Sequence, residues 1–287
     1  MRIRVFCLSF IVVAVCSSGL AYQTKSSQNA TPPAIEEVIR RFAAAESENK
    51  IARNNYTFTQ DIDCMTVGEA GSITGRLHRV SDIVFDDRGT RIEKITFFPP
   101  STMATLIFGP EDMQDLASVQ PFALSTEDLP KYQIDYVGKE KIDELNAYVF
   151  DVKPKAFSKG ERYLQGRIWV DDQDLQVVKA KGQSVPEIKG SKFPHFESYR
   201  ENIDRRYWFP TYIYADDVLE FKSGDIHFRM IVRFTNYKKF SGRIRVGDEG
   251  EPASEDDVKK ADKNKTPVKP PDQDTSKPEL KRPPKKP

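Results

Sequence analysis

Period-two hydrophobicity limits what this chain can become, and it is purest near its last third. Ile226, Phe228, Met230, Val232 and Phe234 fall on one side of an extended segment, with His227, Arg229, Ile231 and Arg233 on the other. A strand with that pattern has one face that must be buried, whereas a helix of the same residues would scatter them around its axis. The alternation recurs from Asn55 to Met65, where Tyr56, Phe58, Ile62 and Cys64 oppose Thr57, Thr59, Asp61 and Asp63. Further strands are expected from about Ile73 to Phe85 and from Arg91 to Phe98, split by the turn sequence Asp86-Asp87-Arg88-Gly89. Tyr132–Gly138, Leu145–Val152, Arg162–Val170, Leu175–Ala180, Phe196–Ile203 and Tyr207–Tyr214 complete a set of about ten.

Helical spacing is confined to two places. Ile35, Val38, Ile39 and Phe42 form an apolar stripe after Thr31, a good N-cap, and after Pro32 and Pro33. Glu36 with Arg40, and Glu37 with Arg41, are spaced to pair on the exposed side. Pro110 to Ala117 reads as a short helix, with Glu111 and Asp112 near its N-terminal dipole. Many antiparallel strands and few helices predict a mainly β fold with some α. The expected form is a curved antiparallel sheet, or open half-barrel, covered by an N-terminal helix and short helices. That cover is small for so many apolar faces, so the sheet either curls on itself or holds an apolar guest.

The ends have other compositions. Arg2 and Arg4, an apolar stretch from Val5 to Val15 and small residues up to Ala21 make residues 1–21 a secretory signal, too short to span a bilayer. Cys16 also admits a lipoprotein anchor, but Val15 stands where acylation sites need a small residue. Residues 22–30 form a flexible lead-in, 31–246 the folded body, and 247–287 a charged, proline-rich tail with too few apolar residues to offset ordering entropy. Once the signal and its Cys7 and Cys16 leave, only Cys64 remains, so no internal disulfide can form. Its place on the apolar side predicts an inert, buried thiol.

Chemistry-bearing patterns are scarce. Lys and Arg number 44 against 43 Asp and Glu, a net charge of +1, which argues against nucleic acid as a partner. His78, His195 and His227 are isolated, and the chain has no His-Glu-x-x-His, phosphate-binding glycine loop or Gly-x-Ser-x-Gly elbow. Neither a metal nor another cofactor is expected. Asp171, Asp172 and Asp174 read as turn residues, and Asp61 with Asp63 as a solvated face.

Three segments carry a family resemblance. Gly138–Pro154 (GKEKIDELNAYVFDVKP) resembles the central hairpin of LolA/LolB-like, outer-membrane lipoprotein-sorting proteins. Gly166–Lys179 (GRIWVDDQDLQVVK) is similar to their next hairpin, and Tyr207–Tyr214 (YWFPTYIY) to a later strand containing proline. The resemblance implies an unclosed barrel with helices in its mouth, working in the periplasm, where it binds lipid or lipoprotein acyl chains. No polar functional residue of that family can be matched here. The expected role is therefore an exported, monomeric carrier with no covalent chemistry and at most peripheral membrane contact. Its apolar cavity candidates are Phe58, Ile62, Leu77, Phe85, Phe228, Met230 and Val232. An envelope adaptor binding a protein partner with help from the tail is the alternative. A hydrolase using Asp61 and Asp63 is the third.

Overall fold

A computed structural model of the chain describes residues 34–86, 88–109, 112, 124–187, 191–239 and 277–282. The expected signal, Cys16, the lead-in, the tail up to residue 276 and all but Asp112 of the short helix at 110–117 lie outside these residues.

Ile35–Arg53 forms α1, with Glu36 and Glu37 in its first turn and Lys50 and Arg53 in its last, each suited to the helix dipole. Ala34, which precedes it, supplies no side-chain cap. Val38 and Phe42 are buried as the stripe requires, and the buried line continues through Ala43, Glu46, Asn49 and Ala52. On the exposed side the guanidinium of Arg40 takes Glu37, three residues back, at 2.7 Å. The i,i+3 partner, also a surface neighbour on a helix, displaces the i,i+4 pairs expected from the spacing.

Ten strands follow: β1 (Tyr56–Val67), β2 (Ile73–Phe85), β3 (Arg91–Phe97), β4 (Tyr132–Ile142), β5 (Leu145–Pro154), β6 (Tyr163–Asp171), β7 (Val177–Val185), β8 (Phe196–Ile203), β9 (Tyr207–Phe221) and β10 (Gly224–Lys239). They form one sheet in the order β3-β2-β1-β10-β9-β8-β7-β6-β5-β4. Each neighbouring pair is antiparallel. β3 and β4 stay unjoined at the two edges, so the curved sheet is an open half-barrel, and among the described residues its one α-helix is α1 at the N-terminal side. The β2–β3 turn forms as its sequence suggests: Asp86 Oδ1 accepts the N–H groups of Arg88 and Thr90, and Gly89 takes a positive φ of 77°.

Both faces carry apolar clusters. The inner face, on which α1 packs, gathers Phe58, Ile62, Cys64, Leu77, Ile83, Phe150, Ile168, Ile213 and their neighbours. The outer face carries a smaller cluster around Leu145, Val149, Trp169, Tyr199, Trp208, Tyr212 and Ile231. A sheet with only one apolar face would need no second cluster.

Candidate functional site

The seven cavity candidates come together on the inner face of three adjacent strands. Val232 and Met230 of β10 lie across from Ile62 and Cys64 of β1, and Leu77 of β2 lies across from Cys64 on the other side. Phe58, Ile62, Leu77, Phe228, Met230 and Val232 are buried, while Phe85 packs half-buried at the margin. Phe58 joins the rings of Phe85, Phe234 and Tyr237, with centroids 6.3, 6.0 and 5.1 Å away. Burial pushes the Cys64 thiol well above its ordinary pKa, which keeps it protonated and unreactive.

Two different structures cover the inner face. Over the β5–β9 half lies α1, whose Phe42 ring is 5.7 Å from that of Phe150. Polar groups pin it: Glu46 meets Arg200 of β8 in a buried ion pair, the Asn49 amide donates to Gln176 Oε1 at 2.8 Å, and Trp208 N–H donates to Asn49 Oδ1 at 3.3 Å. Over β1, β2 and β10 runs a segment without helix or strand, residues 98–109, which brings Met103, Leu106 and Phe108 to the apolar cluster. Thr102 N–H donates to the Arg76 carbonyl at 2.9 Å, and Arg76 N–H to Thr102 Oγ1 at 2.9 Å, tying the segment to β2. Gly75 lets it approach, since a Cβ there would stand 2.7 Å from Met103 Cα. Phe108 reaches the ring of Phe228 on β10 at 6.3 Å. Beside this cover Ile95 of β3 is exposed, as are Phe98 and Ile107 within it, Ile107 at 87%, while Ile92 and Phe97 are exposed on the opposite face, Phe97 against the His78 ring.

The inner face also holds polar groups that the alternation did not reveal. Arg79, opposite Ile62, is only 5% exposed, and its Nε and Nη2 have no hydrogen-bond partner among the described residues. Its nearest counter-charge is Glu93 on β3, 3.5 Å from Nη2. Glu93 already accepts hydrogen bonds from Ser81 at 2.6 Å and Arg91 at 2.9 Å. Burial pulls the Arg79 pKa down. It works against Glu93 too, but the hydrogen bonds from Ser81 and Arg91 and the charge of Arg79 hold that carboxyl below its ordinary range. Two guanidinium groups therefore share one carboxylate within an apolar wall, an arrangement that can accept an anion.

The outer face accounts for the residues suspected of hydrolysis. Asp61 is hydrogen-bonded to His78 Nε2 at 2.8 Å, and Asp63 takes both Nε and Nη2 of Arg76 at 2.7 and 2.8 Å. Both carboxylates are engaged in cross-strand pairs instead of flanking a cleft. His195 and His227 are likewise bonded to Asp217 and Asp216. Asp171 Oδ2 accepts the N–H groups of Gln173 and Asp174, the turn role its position suggested. Among the described residues no group of three or more His, Cys, Asp or Glu is placed to hold a metal. A hollow of about 700 Å³ lies beside Trp169 and Val152, with Asp135, Asp151, Lys153, Arg167 and Lys181 among its lining.

The outer apolar cluster is capped from an unexpected quarter. Residues 277–282, within the stretch read as a solvated tail, lie against it, and Leu280 has no exposed surface. Sequence reading passed over this leucine because a single apolar residue among prolines and charges sets up no periodicity. Its one signal was being the last large apolar side chain in the chain.

Among the described residues no helix is long and apolar enough to cross a membrane, a statement that does not extend to strands. No protein-family model matches the chain, and no curated protein does. Solved structures do. One is a DUF1329 family protein from Desulfovibrio piger ATCC 29098, at 12% identity over 70% of this chain and 94% of the other, with a TM-score of 0.38. Another is LolA superfamily protein NE2245 from Nitrosomonas europaea, at 17% identity over 69% and 94% of the two chains, with a TM-score of 0.31. A domain from Vibrio parahaemolyticus described as an outer membrane lipoprotein-sorting protein aligns at 13% identity over 76% and 97%, with a TM-score of 0.33. Two of these three carry the name of the family that the two hairpins and the later strand resemble.

Proposed function

We propose that this chain is an exported carrier, working in the periplasm, that holds an apolar ligand against the inner face of β1, β2 and β10. The ligand class is lipid or the acyl chains of a lipoprotein, and holding it involves no covalent chemistry. One observation carries the reading: that stretch of apolar face is covered by an irregular segment, 98–109, with exposed large apolar side chains around it. An irregular segment fastened by a few hydrogen bonds can move off a face at far lower cost than a packed helix or a paired strand. Phe58, Ile62, Leu77, Phe85, Phe228, Met230 and Val232 are the proposed contacts, each methylene removed from water contributing about 0.8 kcal/mol. Arg79 is proposed to meet an acidic headgroup.

Native mass spectrometry of protein purified from its own envelope, followed by lipid extraction, tests this. A stoichiometric amphiphile, lost or reduced in the Arg79→Met variant, is the expected result. Ligand-free protein that also fails to take up a fluorescent long-chain acyl probe would overturn the carrier reading.

A further inference from the structure

Residues 277–282 reach the outer face from beyond residue 240, where β10 has already ended. The segment adds no strand to the sheet. Leu280 is its only large apolar residue and is wholly buried in the outer cluster, near Leu145, Trp169 and Tyr199. Its N–H donates to Asp143 Oδ2 at 2.9 Å, and its carbonyl accepts from Glu144 N–H at 3.4 Å. Both partners belong to the turn between β4 and β5.

Cations flank the leucine on both sides and each meets acid. Lys277 Nζ lies 3.1 Å from Glu197 Oε2 and 5.3 Å from the centre of the Tyr214 ring. Arg282 Nη2 lies 3.4 Å from Asp171 Oδ1 and 3.5 Å from Asp172 Oδ1. Asp171 is 1% exposed, and that Oδ1 has no hydrogen bond among the described residues, so the nearby guanidinium is what compensates its charge. Pro278 fixes its own φ and biases Lys277 toward extended backbone. An apolar hole ringed by carboxylates and aromatic rings is thus filled by one side chain on a basic, extended strip of chain.

We propose that this strip of the outer face is a docking site for an extended basic peptide anchored by one leucine, and that the chain's own residues 277–282 are its resident occupant. Because the segment pairs with no strand, it can leave without breaking the sheet, and a free peptide of the same sequence can take its place. The proposal is independent of what the inner face holds.

A labelled synthetic peptide spanning residues 275–287 tests it by fluorescence polarisation against three full-length proteins: the wild type, Leu280→Asp, and the charge-reversed Lys277→Glu/Arg282→Glu. The reversal touches no apolar packing and so guards against a variant that fails to fold. Both variants should release the resident segment and bind the free peptide at one per chain. The wild type, with its site filled in cis, should bind it roughly tenfold or more weakly. A peptide carrying Leu280→Asp should bind none of them. Equal binding to all three proteins, binding to none, or indifference to the leucine overturns the proposal. A wild-type chain that dimerises with concentration, and loses the dimer on Leu280→Asp, would place the segment on a neighbour and overturn the cis assignment.

Discussion

Glu46 and Arg200 form an ion pair in which both side chains are almost without exposure, joined across 154 positions. Breaking a buried pair strands the surviving charge, so Glu46→Ala is expected to lower stability by about 3–5 kcal/mol, whereas Glu46→Leu with Arg200→Met should recover most of it. Urea unfolding of the single and double variants measures both. Gly166 and Gly182 face each other across β6 and β7, and a Cβ on Gly166 would stand 2.1 Å from the Lys181 carbonyl oxygen. Gly166→Ala should lower the unfolding free energy from urea titration by about 1–3 kcal/mol, because backbone must move to admit it. Glu197 links stability to pH. Burial raises its pKa, but hydrogen bonds from Tyr199 and Lys277 and the charge of Lys179 outweigh that and hold it at about 2, below its ordinary 4.5. The lowered value means its contribution is whole above about pH 4.5 and is lost as pH falls toward 2. Acid titration of stability should therefore fall more steeply in the wild type than in Glu197→Gln. At this scale the apolar residues were legible and the buried charges were not. Phe58 and Val232 announce themselves by alternation, while nothing in the sequence sets Glu46 and Arg79 apart from surface charges. The one available hint for Glu46 was that it continues the line Val38, Phe42 down α1.

Among the elements, the strands were legible nearly throughout, β2 and β8 to the residue. β9 and β10 run to Phe221 and from Gly224, beyond the apolar alternation that marked them. Their polar ends, Asp216, Asp217 and Glu220, do not stop a hairpin, since backbone pairing continues until a turn interrupts it. The cover at 98–109 was not legible, because a segment held by Thr102 and by the missing side chain of Gly75 has no period of its own. Gly75→Val is expected to push Met103 off β2 while leaving the strands paired. Raised hydrogen exchange across residues 101–108, with little change in β1 and β10, would bear this out, and unchanged exchange there would refute it.

For the molecule as a whole, protection should follow position in the sheet, whatever the order along the chain. Amides in β10, β9 and β8, at the middle of the sheet, are expected to exchange slowest and those of the edge strands β3 and β4 first, which native-state hydrogen exchange resolves directly. The open half-barrel and its N-terminal helix were readable from strand number and from the helical spacing of Ile35, Val38, Ile39 and Phe42. That the outer face would also need a cover was not, because its aromatic residues are spread over β6, β8 and β9 and cluster only once the sheet is assembled. The strand order has one more consequence. From β4 to β10 and then from β1 to β3, each strand neighbours its successor, so the sheet is a simple meander whose chain happens to begin two thirds of the way round. Among the described residues the only strand pairing that spans the chain is β1 with β10, which sets Tyr56 opposite Lys239. Cutting between β3 and β4 and linking residue 239 to the start of α1 would turn every pairing into a local one. Such a circular permutant should keep the same sheet and reach it faster, because the long closure between first and last strand would no longer have to be made.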